Sequence, residues 1–282
     1  MAARFCLIIP GSEMKDHTGF EDVDGSGRSA ELVDYLALAA RNMGNLRVGG
    51  YDMLRLQPGH AVLDVGCGVG EVCVELAARV GAAGKVAGVD MSEAMIDAAR
   101  QTVAASGVAV DLRVASVYAL PFADGTFDAV RAERVFQHLD KPEDGLREMM
   151  RVTRAGGRVM IMDPDHGQAG LALDQPAHRR VFEVIQRRMT RMILNPHSGT
   201  RLRGMFVRAG FADIVHSTLS PDFSHSHFMQ MFFVEDRLAA AVASGDITNE
   251  ESRDFVAALA ERHRVGTFFT NAIAYNVVGT RP

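Results

Sequence analysis

Residues 62–72 read VLDVGCGVGEV. An apolar run closes on an aspartate, three glycines stand at alternate positions, and a helical pattern starts at once. Missing side chains let the backbone turn sharply and approach a ligand closely, and the helix that follows points its free N–H groups at the same place. The segment therefore predicts a strand, a tight turn and a helix, with a ligand-facing edge where they meet.

The flanking sequence repeats the unit. AVLDVGC (61–67) and KVAGVDM (85–91) are strand-type apolar runs, and Val72, Leu76, Ala77 and Val80 between them mark a helix that stops at Gly81. SEAMIDAARQTVAAS supplies the next helix, with Ser92 placed as its N-cap, and DLRVAS and FDAVRAE supply strands three and four. A helix from about Pro142 to Thr153 closes at Gly156-Gly157 and delivers RVMIMD as strand five. Strands alternating with helices predict a doubly wound, Rossmann-like α/β fold with a mostly parallel sheet covered on both faces.

Outside this core the rhythm changes. Ala30 to Met53 suggests two helices broken near Gly44. After Asp163 the alternation stops: a helical stretch lies around 176–192, TRLRGMFVRAG is helix-like, FADIVHS resumes as a strand, 224–265 is mainly helical, and FFTNAIAYNVVGTRP ends as a strand. The expected partition is an N-terminal arm and helices over 1–54, a cofactor-binding core over 55–163, a cap insertion over 164–209, and the end of the sheet over 210–282 with a second helical insertion at 224–265.

At 282 residues with 48% hydrophobic and 23% charged residues the composition is that of a soluble globular chain. A formal charge of -5 argues against a general affinity for nucleic acid, because phosphate binding needs a basic surface. Cys6, Cys67 and Cys73 form no disulfide framework or metal-ligand spacing and suit a reducing cytoplasm. FCLIIP near the start is too short for a signal-peptide core or a bilayer span. A small-molecule partner, a cytoplasmic setting without membrane attachment, and a monomer or homodimer are expected. Asp22, Asp24, Ser26 and Gly27 match part of a calcium loop, but Ser29 and Val33 break it.

The glycine spacing is Gly-x-Gly-x-Gly after Asp64, not the Gly-x-Gly-x-x-Gly that seats a pyrophosphate. An aspartate beside the turn repels phosphate and attracts an ammonium group. Asp90, at the tip of strand two, can accept both hydroxyls of a ribose. An adenosine cofactor with an amine and no phosphates, S-adenosylmethionine, meets these demands.

VLDVGCGVG, VAGVDMSEAMIDAAR, VASVYALPFADGTFDAV, RVFQHLDKPEDGLREMMRVTRAGGRVMIMD and AGFADI, in that order, resemble class I S-adenosylmethionine-dependent methyltransferases of the quinone and natural-product branch over about 55–215. The resemblance implies a seven-stranded sheet and transfer of a methyl group to oxygen or nitrogen of a small metabolite. It places the turn from Asp64 through Gly66 and Cys67 to Gly68 under the methionine part, Asp90 on the ribose, Met91 against the adenine, Ser116 and Val117 at the adenine edge, and Ala132 and Glu133 facing the amine. Ser116 departs from the aspartate usual in the family, and Gln137 stands where relatives often carry histidine.

For catalysis the sequence offers His166, in DPDHG just past strand five, with Asp163 or Asp165 to orient it. His138 reads as structural, and Cys67 as a small residue in a turn. His225 and His227 would share one face if strand-like, but no third metal ligand accompanies them. Residues 164–208 hold eight arginines against Asp165, Asp174 and Glu183, either a solvated helix face or a steering field for an anionic acceptor. Two rival readings stand beside the methyltransferase: an NAD-dependent oxidoreductase, and a methyltransferase-like protein that keeps its cofactor as structure and uses the cap for binding or cyclisation.

Overall fold

The computed structural model describes residue 20 and residues 22–282; within residues 38–46 and at 48 only the backbone is described. Cys6 and the FCLIIP segment lie outside these residues.

A seven-stranded sheet organises the chain, in the order β3-β2-β1-β4-β5-β7-β6. β1 (Ala61–Val65), β2 (Lys85–Asp90), β3 (Asp111–Val114), β4 (Phe127–Glu133) and β5 (Thr153–Leu171) are parallel, while β7 (Thr270–Thr280) runs antiparallel to β5 and to β6 (Ala212–Leu219). Connections leave β1 toward β2 on one side and, after β3, return to β4 on its other side. That reversal opens a crevice above the carboxyl ends of β1, β2 and β4, where open α/β sheets bind ligands.

The period-two alternation divides the core. Leu63, Val130 and Ile161 face one side with α4 (Pro142–Val152) and α6 (Ser198–Ala209). Val62, Ala129 and Met160 face the other with α2 (Glu71–Val80) and the end of α1 (Ser29–Leu54). α3 (Glu93–Ser106) starts at Ser92, whose Oγ accepts from the Met95 N–H at 3.1 Å.

Two expectations are corrected here. The pair of helices expected around Gly44 is one helix of 26 residues, α1, since an interior glycine costs only about 1 kcal/mol and packing against α2, α3 and the sheet outweighs it. β5 also does not end at Asp163. Its parallel pairing stops at Met162, and the strand continues to Leu171 because β7 offers an antiparallel edge from Tyr275 to Thr270.

The remaining helices are α5 (Pro176–Arg191), α7 (His225–Met231), α8 (Val234–Ala243) and α9 (Asn249–Arg264). Val181, Ile185, Phe228, Leu238, Phe255 and Leu259 join them in a separate apolar cluster above the crevice edge. His225 and His227 belong to α7, so two residues apart they point to different sides; His225 stacks on His263 at 5.0 Å instead. The calcium-like segment serves α3: Asp24 accepts from Ser92 Oγ at 2.7 Å and from the Glu93 N–H at 2.8 Å. No described helix is long and apolar enough to cross a membrane.

Candidate functional site

The glycine turn is stitched to β2, with the Gly66 and Cys67 N–H groups both donating to the Val89 carbonyl at 2.7 and 2.9 Å. Two of its glycines serve protein packing. A Cβ on Gly66 would strike Val135 in the loop after β4, and one on Gly70, at φ +80°, would lie 2.9 Å from Ala99 Cβ and wedge α2 from α3. Gly68, at φ +51°, passes beneath Leu36 of α1 and donates its N–H to Asp90 Oδ2 at 3.0 Å. Ser92 N–H donates to Asp90 Oδ1, also at 3.0 Å. Each Asp90 oxygen keeps a lone pair, and burial raises its pKa.

β2 and β3 bring the adenine-side candidates together, since Asp90 pairs in register with Val114. Met91 and Tyr118 are 61% and 40% exposed, two large apolar surfaces left uncovered beside an acid. Ser116 Oγ accepts from the Tyr118 N–H at 3.3 Å and closes the turn. Val117 points the other way, into the core against Leu139 and Gly145, so only its backbone borders the crevice.

At the opposite end, Asp64 and Glu133 enter a buried ionic chain that sequence reasoning missed. Arg131 Nη1 donates to Asp64 Oδ1 at 3.0 Å and Nη2 to Glu133 Oε2 at 2.6 Å. Arg47 of α1 grips Glu133 at 2.8 and 3.1 Å and reaches Glu75 Oε1 at 3.2 Å, while Tyr51 O–H donates to Glu75 Oε2 at 2.6 Å. Three carboxylates thus face two guanidiniums. Burial outweighs Arg131 and pushes Asp64 up to about 6, whereas the two guanidiniums overcome desolvation at Glu133 and hold it down at about 2. Ala132 is fully enclosed, and Cys67 lies beside Cys73 with its thiol pKa raised by that contact and by burial. A basic residue in the midst of the strand run FDAVRAE was the signal available for Arg131.

The donor set fits S-adenosylmethionine. Asp90 offers acceptors for a diol, Met91 next to it offers exposed apolar surface, and the carboxylates of Asp64 and Glu133 suit a cofactor whose sulfonium and ammonium outnumber its carboxylate.

Beyond β4 and β5 the structure rearranges the catalytic candidates. Neither aspartate orients His166. Asp165 accepts from His197 Nδ1 at 2.9 Å and from Thr200 Oγ1 at 2.7 Å, and Asp163 accepts from Ser198 Oγ, because both project toward α6 while His166 alternates to the other face. Its partner is Gln137, whose Oε1 lies 2.6 Å from His166 Nε2. Gln137 Nε2 donates to the Arg134 carbonyl at 3.0 Å, which fixes Oε1 as the acceptor and leaves His166 with a free Nδ1. Burial, followed by the nearby charges of His138 and Arg237, lowers the His166 pKa to about 3. The imidazole is therefore neutral. Facing it are His138 from the 3-10 turn at Phe136–His138, Arg134 at φ +57°, and Arg237 of α8. The arginines of 164–208 are partly consumed elsewhere: Arg180 pairs with Glu251, Arg188 with Asp246 and Arg208 with Glu143.

A doubly wound sheet with an acidic turn at its switch point fits a nucleoside cofactor without phosphates. Comparison with known proteins gives the family. The Methyltransferase domain family matches residues 63–161. An uncharacterized 37.1 kDa protein in transposon TN4556 of Streptomyces fradiae is 30% identical over 97% of this chain and 80% of its own length. The ubiquinone/menaquinone biosynthesis C-methyltransferase UbiE of Geotalea daltonii is 36% identical over 39% of this chain, and the match spans about half, 48%, of that relative. Among solved structures, YcgJ from Bacillus subtilis superposes with a TM-score of 0.59 at 18% identity, covering 86% of this chain and 99% of its own, a likeness of fold. The chain belongs to the class I S-adenosylmethionine-dependent methyltransferases, and its cofactor is S-adenosylmethionine. The dinucleotide alternative is set aside.

Proposed function

We propose that this methyltransferase moves a methyl group to oxygen or nitrogen of a small metabolite, in natural-product biosynthesis, with the helices of 164–209 and 224–265 capping a cofactor core over 55–163. The observation that carries the reading is a neutral His166 with a free Nδ1, just past the end of the β4–β5 parallel pairing whose Glu133 belongs to the acidic crevice around Asp90 and Asp64.

When bound, S-adenosylmethionine supplies an electrophilic methyl carbon. Asp90 would hold the ribose hydroxyls, Met91 and the Ser116-Val117 backbone would border the adenine, the Asp64 to Gly68 turn would underlie the methionine, and Ala132 and Glu133 would border the amine. Arg131 and Arg47 keep Glu133 ionised and fixed for that contact. His166 accepts a hydrogen bond at Nδ1 from the acceptor's O–H or N–H, which aims the lone pair and excludes water. The cofactor would supply the methyl group and keep the electron pair on its sulfur, and His166 Nδ1 would take the proton that the acceptor's oxygen or nitrogen gives up.

The UbiE relative is named for C-methylation, so carbon is the alternative acceptor atom. Incubating cell extract with the protein and isotopically labelled methyl donor tests the reading. Mass spectrometry is expected to show a metabolite heavier by one labelled methyl, and product fragmentation assigns the atom. Tight cofactor binding with no transferred label would instead favour a structural cofactor and a binding or cyclising cap.

A further inference from the structure

Among the described residues Arg237 has no hydrogen-bonded carboxylate. Its side chain, on α8, is only 6% exposed, and Nε and Nη1 are enclosed without a hydrogen-bond acceptor among the described residues. Its neighbours Glu235 and Asp236 are exposed to solvent, and the Asp236 charge acts on the guanidinium without a hydrogen bond. Asp64 and Glu133 are tied to Arg131 and Arg47, and Asp165 to His197. The guanidinium instead sits over the Phe233 ring at 5.5 Å. Phe233 itself adopts φ +45°, a strained conformation for a phenylalanine, and stacks on Tyr35 at 5.4 Å and 22°. Tyr35 meets Phe20 at 5.6 Å, and Phe20 meets His138 at 5.9 Å.

An enclosed cation whose Nε and Nη1 find no acceptor among the described residues is a cost to the fold, and burial, only partly offset by Tyr35 and Asp236, lowers its pKa to about 10. Such a group persists where a ligand completes it. The surroundings describe that ligand: the flat rings of Phe233 and Tyr35 on one side, and on the other the Arg134 guanidinium, whose charge reaches His166 as that of Arg237 does.

We propose that Arg237 anchors an oxyanion on the methyl acceptor, and that the acceptor is a flat, conjugated ring bearing a carboxylate or phosphate. This rests on the methyltransferase reading above and names its substrate class. An anion beside Arg237 also offsets the cations that face His166, so the acceptor itself makes Nδ1 a better proton acceptor.

The test is a calorimetric titration of the full chain, saturated with S-adenosylhomocysteine, using benzoate, phenyl phosphate and the neutral isostere benzamide. At least one anion is expected to bind tenfold or more tightly than benzamide, and which one identifies the group as carboxylate or phosphate. R237M is expected to abolish that preference, R237K to retain part of it, and benzamide binding to stay unchanged in both. R237M, freed of an unpaired cation, is expected to melt no lower than the parent without probe. Anions no tighter than benzamide, anion binding unchanged in R237M, or an R237M that melts far below the parent with R237K restoring it would overturn the proposal. Failure of S-adenosylhomocysteine to bind would sink the methyltransferase reading alone, and the same probe titration without it would still decide Arg237.

Discussion

At Asp90 two backbone N–H groups occupy one lone pair on each oxygen, so the carboxylate is aimed before any ligand arrives. Replacing it with alanine removes both the aim and the acceptors. D90A is expected to weaken cofactor binding by about 1 to 3 kcal/mol, read by calorimetry with S-adenosylhomocysteine; unchanged affinity would remove Asp90 from the ribose. Asp163 makes a separate, pH-dependent prediction. Burial raises it from 3.8 to about 7, so its neutral form favours the fold, a contribution complete below about pH 4 and lost as pH rises through 7. D163N stays neutral throughout, and its melting temperature relative to the parent should climb between pH 5 and pH 8. A constant gap across that range would show that Asp163 ionises freely in the folded protein. Asp90 was readable from sequence because its place at a strand tip follows from local period. The partner of His166 was not, since Gln137 lies 29 residues away and only the loop after β4 brings it there.

Helix ends and helix contacts carry the next scale. Asp24 accepts from Ser92 Oγ and from the first two N–H groups of α3, an acid at a helix N-terminus that ties the arm to the core. D24A should lower stability by about 1 kcal/mol in urea unfolding and expose the segment around Val23 to proteolysis; an arm equally protected in D24A would deny Asp24 that tether. Gly70 is held between α2 and α3, so G70A combines a left-handed backbone with a 2.9 Å overlap on Ala99. A loss of about 1 to 3 kcal/mol is expected in the same assay, and a neutral substitution would mean the helices separate freely. Ser92 as a cap and Gly81 as a helix stop were legible because capping is local chemistry. The continuity of α1 through Gly44 was not, since packing against the sheet overrides a glycine's weak preference.

Taken as a molecule, the protein has cores on both faces of its sheet and a third among α5, α7, α8 and α9. Phe255 is fully enclosed in that third core, so F255A should cost about 3 to 5 kcal/mol, while affinity for S-adenosylhomocysteine stays within about twofold, as expected for distant sites. Calorimetry on the variant checks it, and a large loss of cofactor affinity would mean that cap and crevice fold as one unit. The amino-acid order alone determined the alternation of strands and helices, the turn after Asp64, and the acid at the tip of β2, because side-chain period and backbone freedom act within a few residues. Tertiary structure decided what the charges do. Arg47 meets Glu133 across 86 residues and Arg131 meets Asp64 across 67, while Arg237 Nε and Nη1 meet no acceptor among the described residues. Those outcomes depend on which elements the folded sheet brings face to face, and burial then makes each pairing, or its absence, energetically large.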